Sequence, residues 1–385
     1  MARRSGLLLL TCVTLLIGLG FVMLVSTNFY VDPAKGGGES YANVWGQARY
    51  LGVGLVLLTL FACLDYNALL RWSIPLFILG LISMLLCKVP GIGVASHGAA
   101  RWIRVFGISG QPSEFARIAF IILAAVIAAR ITTASAGQGW RSPFAHSMLL
   151  LAAMLGAFFV QEDLGNAAIT GVLAFTLLFV AGEKLWKLLL CGAVFAALGI
   201  TAVIHNPNRM KRLVAIEDLK GNATDLGMQQ TVSQLAFGSG GIQGRGLGEG
   251  RMKLSYLPES HTDFIFPMLG EELGFLGTSA TVLIYILLLL SGMCIAAYAP
   301  NRFGKILGLG LSALIACGAL VNMGVATSLL PNKGLPLPFV SHGGSSLVAA
   351  CIAVGILVNI HRQGVLITRD QLPVLRRNRR WTPQL

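Results

Sequence analysis

The stretch "HTDFIFPMLGEELGFLGTSATVLIYILLLLSGMCIAA", residues 261–297, carries two messages at once. From Ile265 to Ala297 the chain is almost wholly apolar, a run longer than the roughly 20 residues that cross a bilayer. Yet Glu271 and Glu272 stand about two turns inside it, and Asp263 sits just before it. An ionisable side chain at membrane depth costs about 2.5–3.5 kcal/mol on insertion scales. Acids placed there must face a bundle interior or a wet cavity. The stretch reads as a membrane helix entered from a polar loop, with acids gathered at the boundary.

The rest of the chain repeats the apolar half of this pattern. Its 385 residues are 55% hydrophobic and 12% charged, with a mean hydropathy of +0.74; a soluble domain carries about 25% charged residues. Apolar runs at 7–26, 48–64, 72–88, 114–131, 144–161, 164–181, 186–204, 303–330 and 341–360 join 265–297. They predict an all-α integral membrane protein of about ten transmembrane helices, folded as one unit over 1–361, with one long loop at 205–264 and a basic tail at 362–385. The run from Leu7 to Val25 exceeds the ~7–15 residues of a cleaved signal core, so it is expected to be a retained first helix.

The net charge of +13 does not point to nucleic acid, because the Lys and Arg lie between apolar segments and in the tail. With the N-terminus inside, the inner connections are short and basic (Arg71, Arg130, Lys184, Arg302), and their acids are only Asp65, Glu183 and Asp370. The positive-inside rule then puts both termini in the cytoplasm and the 205–264 loop outside. The cysteines fall in apolar runs and His97, His205, His261 and His342 are dispersed, so neither a disulfide framework nor a metal cage is expected.

Several polar groups interrupt the apolar pattern. Asp263 has two readings: with Thr262 it is a helix N-cap, or it is a partly desolvated general base. Glu271 and Glu272 are either halves of structural ion pairs or walls of a polar cavity. "AARWIRVFGISGQPSEFARI", residues 99–118, offers Arg101, Arg104 and Arg117, with Trp102 suited to the interface. There Pro112-Ser113-Glu114 reads as a helix start. Glu114 and Arg117 make a local i,i+3 pair, or else Arg101 and Arg117 face a diphosphate, which guanidinium groups bind bidentately. "FFVQEDLGNAAIT", residues 158–170, is a wet turn or puts Asp163 in a pocket. "GSGGIQGRGLGEG", residues 238–250, lacks GxxxxGK[ST] and a surrounding βαβ unit. It is either turn-making or an amide cradle for an anion near Arg245. "SLLPNKGLPLPFVSHGGSSL", residues 328–347, breaks the helical pattern and can wall a groove through Ser341 and His342.

Taken in order, from Gly18 to Ile360, these segments resemble the SEDS family, which includes the FtsW and RodA proteins. The carriers are "GAARWIRVFGISGQPSEFARI", "QEDLGNAA", "QLAFGSGGIQGRGLGEGRMKLSYLPESHTDFIFPMLGEELG" and "LLPNKGLPLPFVSHGGSSL". The resemblance implies a peptidoglycan glycosyltransferase that polymerises lipid II, the undecaprenyl-diphosphate-linked disaccharide-peptide. It implies that Asp263 deprotonates the acceptor 4-hydroxyl, which attacks the donor's anomeric carbon as the diphosphate leaves. Arg101, Arg117, and Arg49 or Arg245 are the cations expected to hold that leaving group. Trp102, Glu114 and Asp163 stand where family motif residues stand, and Glu271, Ser341 and His342 complete the expected substrate-binding set. No cofactor is required by any ligand set; a divalent cation (Mg2+ or Mn2+) brought by the diphosphate is compatible with the chemistry. The expected partners are a class B penicillin-binding transpeptidase, other division or elongation proteins, and membrane lipid. Ala100, Glu162 and His342 depart from the family pattern, and the overall wording favours the septal branch over the elongation branch. Two rivals remain at this point: a lipid II flippase, and a scaffold with no chemistry of its own.

Overall fold

The computed structural model describes residues 2–28, 39–96, 99–105, 108–131, 142–205, 210, 225–252 and 262–378. The helices are α1 (Ala2–Asn28), α2 (Glu39–Cys63), α3 (Ala68–Leu86), α4 (Pro112–Ala128), α5 (Pro143–Val160), α6 (Leu164–Val180), α7 (Leu185–Ile204), α8 (Asp225–Gly240), α9 (Ile265–Ala297), α10 (Arg302–Ala326) and α11 (Gly344–Asn378). All ten expected spans are helices, and α8 is an additional helix inside the long loop. Among the described residues, eight helices are long and apolar enough to cross a membrane, with α6 a shorter apolar one. The chain is a multi-pass membrane protein.

The all-α expectation needs one addition. Between α3 and α4 the chain forms a three-stranded antiparallel sheet, β1 (Gly93–Ser96), β2 (Ala99–Val105) and β3 (Ile108–Gly110), in the order β1-β2-β3. Val94 pairs with Trp102 and Arg104 with Ser109. Most of the basic tail also continues α11 as helix, to Asn378.

α4 lies at the centre, with nearly every side chain buried. It packs against α3, α5, α6, α10 and α11. Small residues set the helix contacts, as expected where lipid offers no hydrophobic drive and close approach must do the work. A methyl added at Gly355 would meet the backbone of Leu58 on α2, and one at Gly292 would meet Ser312 on α10.

Helix connectivity sorts the loops into two ends. One carries residues 64–67, 181–184 and 298–301. The other carries the sheet, the α5–α6 turn, α8, the entry to α9 and the irregular segment 327–343.

Candidate active site

The α5–α6 turn is the core of the sheet-bearing end. Glu162 adopts a positive φ of 58° there, turning the chain so that Asp163 caps α6 by accepting from Asn166 N at 3.2 Å. Asp163 is 1% exposed, and an isolated buried carboxylate is prohibitively costly. Its compensation comes from three side chains. Asn166 Nδ2 donates to Oδ2 at 2.8 Å, Lys333 makes a close ion pair with Oδ1, and Arg101 Nε stands 4.0 Å from Oδ2. Arg101, on β2, also donates to the Glu162 carbonyl at 2.8 Å. The sheet thus pins the turn.

Burial alone would raise the Asp163 carboxyl, but the Lys333 and Arg101 cations outweigh it and hold the group down at about 2. Burial lowers Lys333 in turn to about 8, opposed by Asp163 and helped by Arg101 and Arg117. Lys333 escaped the sequence reading. A single cation inside the Pro- and Gly-rich tract 328–347 was the available signal, since a buried lysine needs a partner. Gly165 accommodates it: a methyl there would collide with the Lys333 stem.

Glu114 and Arg117 form the local pair at the start of α4, both nearly buried. Three cations (Arg101, Arg117, Lys333) therefore face two carboxylates (Glu114, Asp163), leaving the group net positive. Glu162 lies at its edge, 3.3 Å from Lys88. Trp102 is half-buried on β2.

Asp263 enters from α9. Phe264 holds the N-cap position of α9, with Asp263 directly before it. The carboxylate lies against the 327–343 segment: a methyl at Gly334, the residue after Lys333, would collide with Asp263 Oδ2. His261 and Glu259 lie outside the described residues.

The glycine tract and the α9 glutamates form a separate group. Gly274, at φ 68° and ψ −165°, breaks the helical geometry inside α9. The freed carbonyls of Glu271 and Glu272 accept from Arg245 N and Gly246 N, both at 3.0 Å. Glu271, fully buried, accepts from Arg251 N at 2.8 Å and Met252 N at 3.1 Å, with Arg245 Nη1 3.7 Å away. Glu272 accepts from Gly248 N at 3.1 Å and from Ser26 on α1 at 2.6 Å. The glycine loop does cradle anions, but they are the protein's own carboxylates. Arg245 and Glu271 are joined to each other rather than to the Asp163 group.

The remaining expected residues are placed as follows. Arg49 is exposed on α2. Ser341 is 3% exposed and closes a turn, its Oγ accepting from Leu337 N at 2.8 Å while its carbonyl accepts from Gln47 at 3.2 Å. His342 is half-buried near Gly46. Ser341 therefore supports the segment from behind. Among the described residues no cluster of His, Cys, Asp and Glu could hold a metal ion.

A family model for cell cycle proteins of the FtsW/RodA/SpoVE type matches residues 6–365. The chain belongs to that family. A relative from Trichlorobacter lovleyi, named probable peptidoglycan glycosyltransferase FtsW, is 40% identical, with 92% of each chain covered. Stage V sporulation protein E of Bacillus subtilis is 32% identical over 94% of this chain and 98% of its own. Among solved structures, a chain described under the structural coordination of polymerization and crosslinking by a peptidoglycan synthase complex superposes with a TM-score of 0.76 at 27% identity, covering 92% of this chain and 97% of that one. The rod shape determining protein RodA of Thermus thermophilus gives 0.67 at 27% identity, covering 92% and 95%.

Proposed function

We propose that this peptidoglycan glycosyltransferase polymerises lipid II at the outer face of the cytoplasmic membrane, in septal wall synthesis, with Asp263 as its general base. The observation that carries the reading is the placement of Asp263 Oδ2 against Gly334, one residue from Lys333, beside a net-positive, partly buried group. Asp263 takes the proton of the acceptor's 4-hydroxyl. The oxygen bonds to the donor's anomeric carbon, and the bond from that carbon to the diphosphate oxygen breaks. The departing diphosphate gains charge, which fixed cations stabilise most strongly where water is scarce. Lys333, Arg101 and Arg117 supply them; Arg49 is exposed and available to a headgroup from α2. A divalent cation would arrive with the diphosphate, since the described residues offer no cage for it. Both termini are cytoplasmic in this reading, and a class B penicillin-binding transpeptidase cross-links the product.

A flippase is disfavoured by what lies midway through the bundle. The buried polar side chains there include Thr170, Thr281, Ser291 and Ser312, each hydrogen-bonded to a carbonyl of its own helix. A headgroup path needs polar groups along the full depth.

The test is polymerisation of labelled lipid II by purified protein with its transpeptidase, wild type beside Asp263→Asn. Glycan ladders from wild type and a loss of ~10^3-fold or more in a folded mutant are expected, the scale on which essential catalytic groups act. A folded Asp263→Asn that polymerises normally removes Asp263 from the chemistry.

A further inference from the structure

The polar group that ties Asp263 to the Lys333 segment is Asn322, on α10. It is 1% exposed. Its single amide nitrogen donates to the Asp263 carbonyl at 2.8 Å and to the Leu335 carbonyl at 2.6 Å. The other end of the amide, Oδ1, is buried with no hydrogen-bond partner among the described residues. Buried polar atoms are nearly always paired, so this side chain is retained for its donor end. Both of its acceptors are backbone carbonyls flanking the reactive geometry: one belongs to the proposed base, the other to the second residue after Lys333.

We propose that Asn322 is a positioning residue for the transfer reaction. It fixes the entry of α9 against the segment Lys333-Gly334-Leu335, and so sets the Asp263 carboxylate relative to the Lys333 ammonium. Asn322 touches no substrate in this role. The second restraint is steric: Gly334 leaves room for Asp263 Oδ2 only because it has no side chain. Two independent contacts thus hold one distance. A general base must lie within hydrogen-bond reach of the proton it takes, and a displacement of about 1 Å can cost ~10^2-fold in rate. This inference rests on Asp263 being the base.

The experiment measures initial rates of lipid II consumption against substrate concentration, for purified protein with its transpeptidase. Asn322→Leu and Gly334→Ala disturb the same geometry from opposite sides. Each is expected to lower kcat by ~10–100-fold while KM stays within threefold. Asn322→Gln, which keeps the donor on a longer stem, is expected to recover part of the Asn322→Leu loss. Asn359→Leu, at the opposite end of the bundle, controls for loss of a buried amide and is expected to leave kcat unchanged. If folded Gly334→Ala and Asn322→Leu both turn over within threefold of wild type while Asp263→Asn is inactive, the positioning role is wrong and the base assignment stands. If Asp263→Asn is itself active, the base assignment fails first. Should Asn322→Leu not fold, Gly334→Ala alone decides through the same split.

Discussion

The two ends of the bundle handle polar groups in opposite ways. At the end carrying the C-terminal helix, side-chain amides do most of the work. Asn359 donates to the carbonyls of Phe61 and Ala62 at 3.2 and 3.0 Å and to that of Leu64. Asn301 reaches Asn67 at 2.8 Å, and Gln363 reaches Asp65 at 2.7 Å. Arg302 and Arg362 cap carbonyls of Ala181 and Cys63. An ion pair among the described residues there, Lys187 with Glu183 at 3.3 Å, spans one helical turn. At the sheet-bearing end, carboxylates are buried outright. Asp163, Glu114, Glu271 and Glu272 are each at most 7% exposed. Buried charge is poor value for stability alone, because desolvation offsets most of the Coulomb gain. Its concentration at one end fits the proposal that chemistry on a charged headgroup takes place there.

The largest expected effect comes from removing the cation of the central pair. Lys333→Met leaves Asp163 charged and buried, which costs about 3–5 kcal/mol when one partner of such a pair is lost. A large fall in thermal midpoint and loss of polymerisation are expected together. The double variant Lys333→Met with Asp163→Asn should lose less stability than the two singles added, because the uncompensated charge is gone. The pair also gives this end a pH signature. Asp163 is held at about 2 in the fold, below its ordinary value of 3.8. Its stabilisation is complete above 3.8 and disappears as pH falls through 2, since protonation is then equally available to both states. Asp163→Asn should flatten that acid limb. An unchanged midpoint in Lys333→Met would mean the two ends do not differ in the way described.

How far the sequence carries depends on which interaction decides each feature. The spans were legible because length and hydropathy set them locally; Ile265–Ala297 agrees with its expected bounds. The Glu114–Arg117 pair was legible from its i,i+3 spacing. The sheet was not, since strands of 3–7 residues containing Gly and Ala have no distinctive period. Lys333 was missed because its partner is 170 positions away. The glycine tract allowed two readings, turn-making or an anion cradle, because nothing local shows that Gly274 breaks α9 and that Glu271 and Glu272 accept from the tract. Asn322 acts through two carbonyls, a role no side-chain pattern announces.

A smaller effect is expected at the glycine loop. Glu271→Ala removes the acceptor for Arg251 N and Met252 N and strands Arg245. Hydrogen bonds to charged groups contribute about 1.5–3 kcal/mol each, so a loss of about 2–3 kcal/mol is expected. Limited proteolysis should then cut within 241–252 before the bundle unfolds. Protection equal to wild type would mean that the loop is held by its glycine backbone contacts with α9 alone.

The smallest effect is at the other end, and there the sign of the rate matters more than the size. Asn359→Leu leaves the Phe61, Ala62 and Leu64 carbonyls without their shared donor. Stranded buried acceptors cost about 1–3 kcal/mol. A midpoint lowered by a few degrees is expected, with lipid II turnover per folded molecule unchanged. The distance between ends is the reason: α2 and α11 join there, far along both helices from Gln47 and Ser341, which meet at 3.2 Å at the sheet-bearing end. A rate loss in Asn359→Leu out of proportion to its stability loss would show that the α2–α11 pair transmits strain along its length. The amide-built end would then be part of the catalytic machinery rather than its footing.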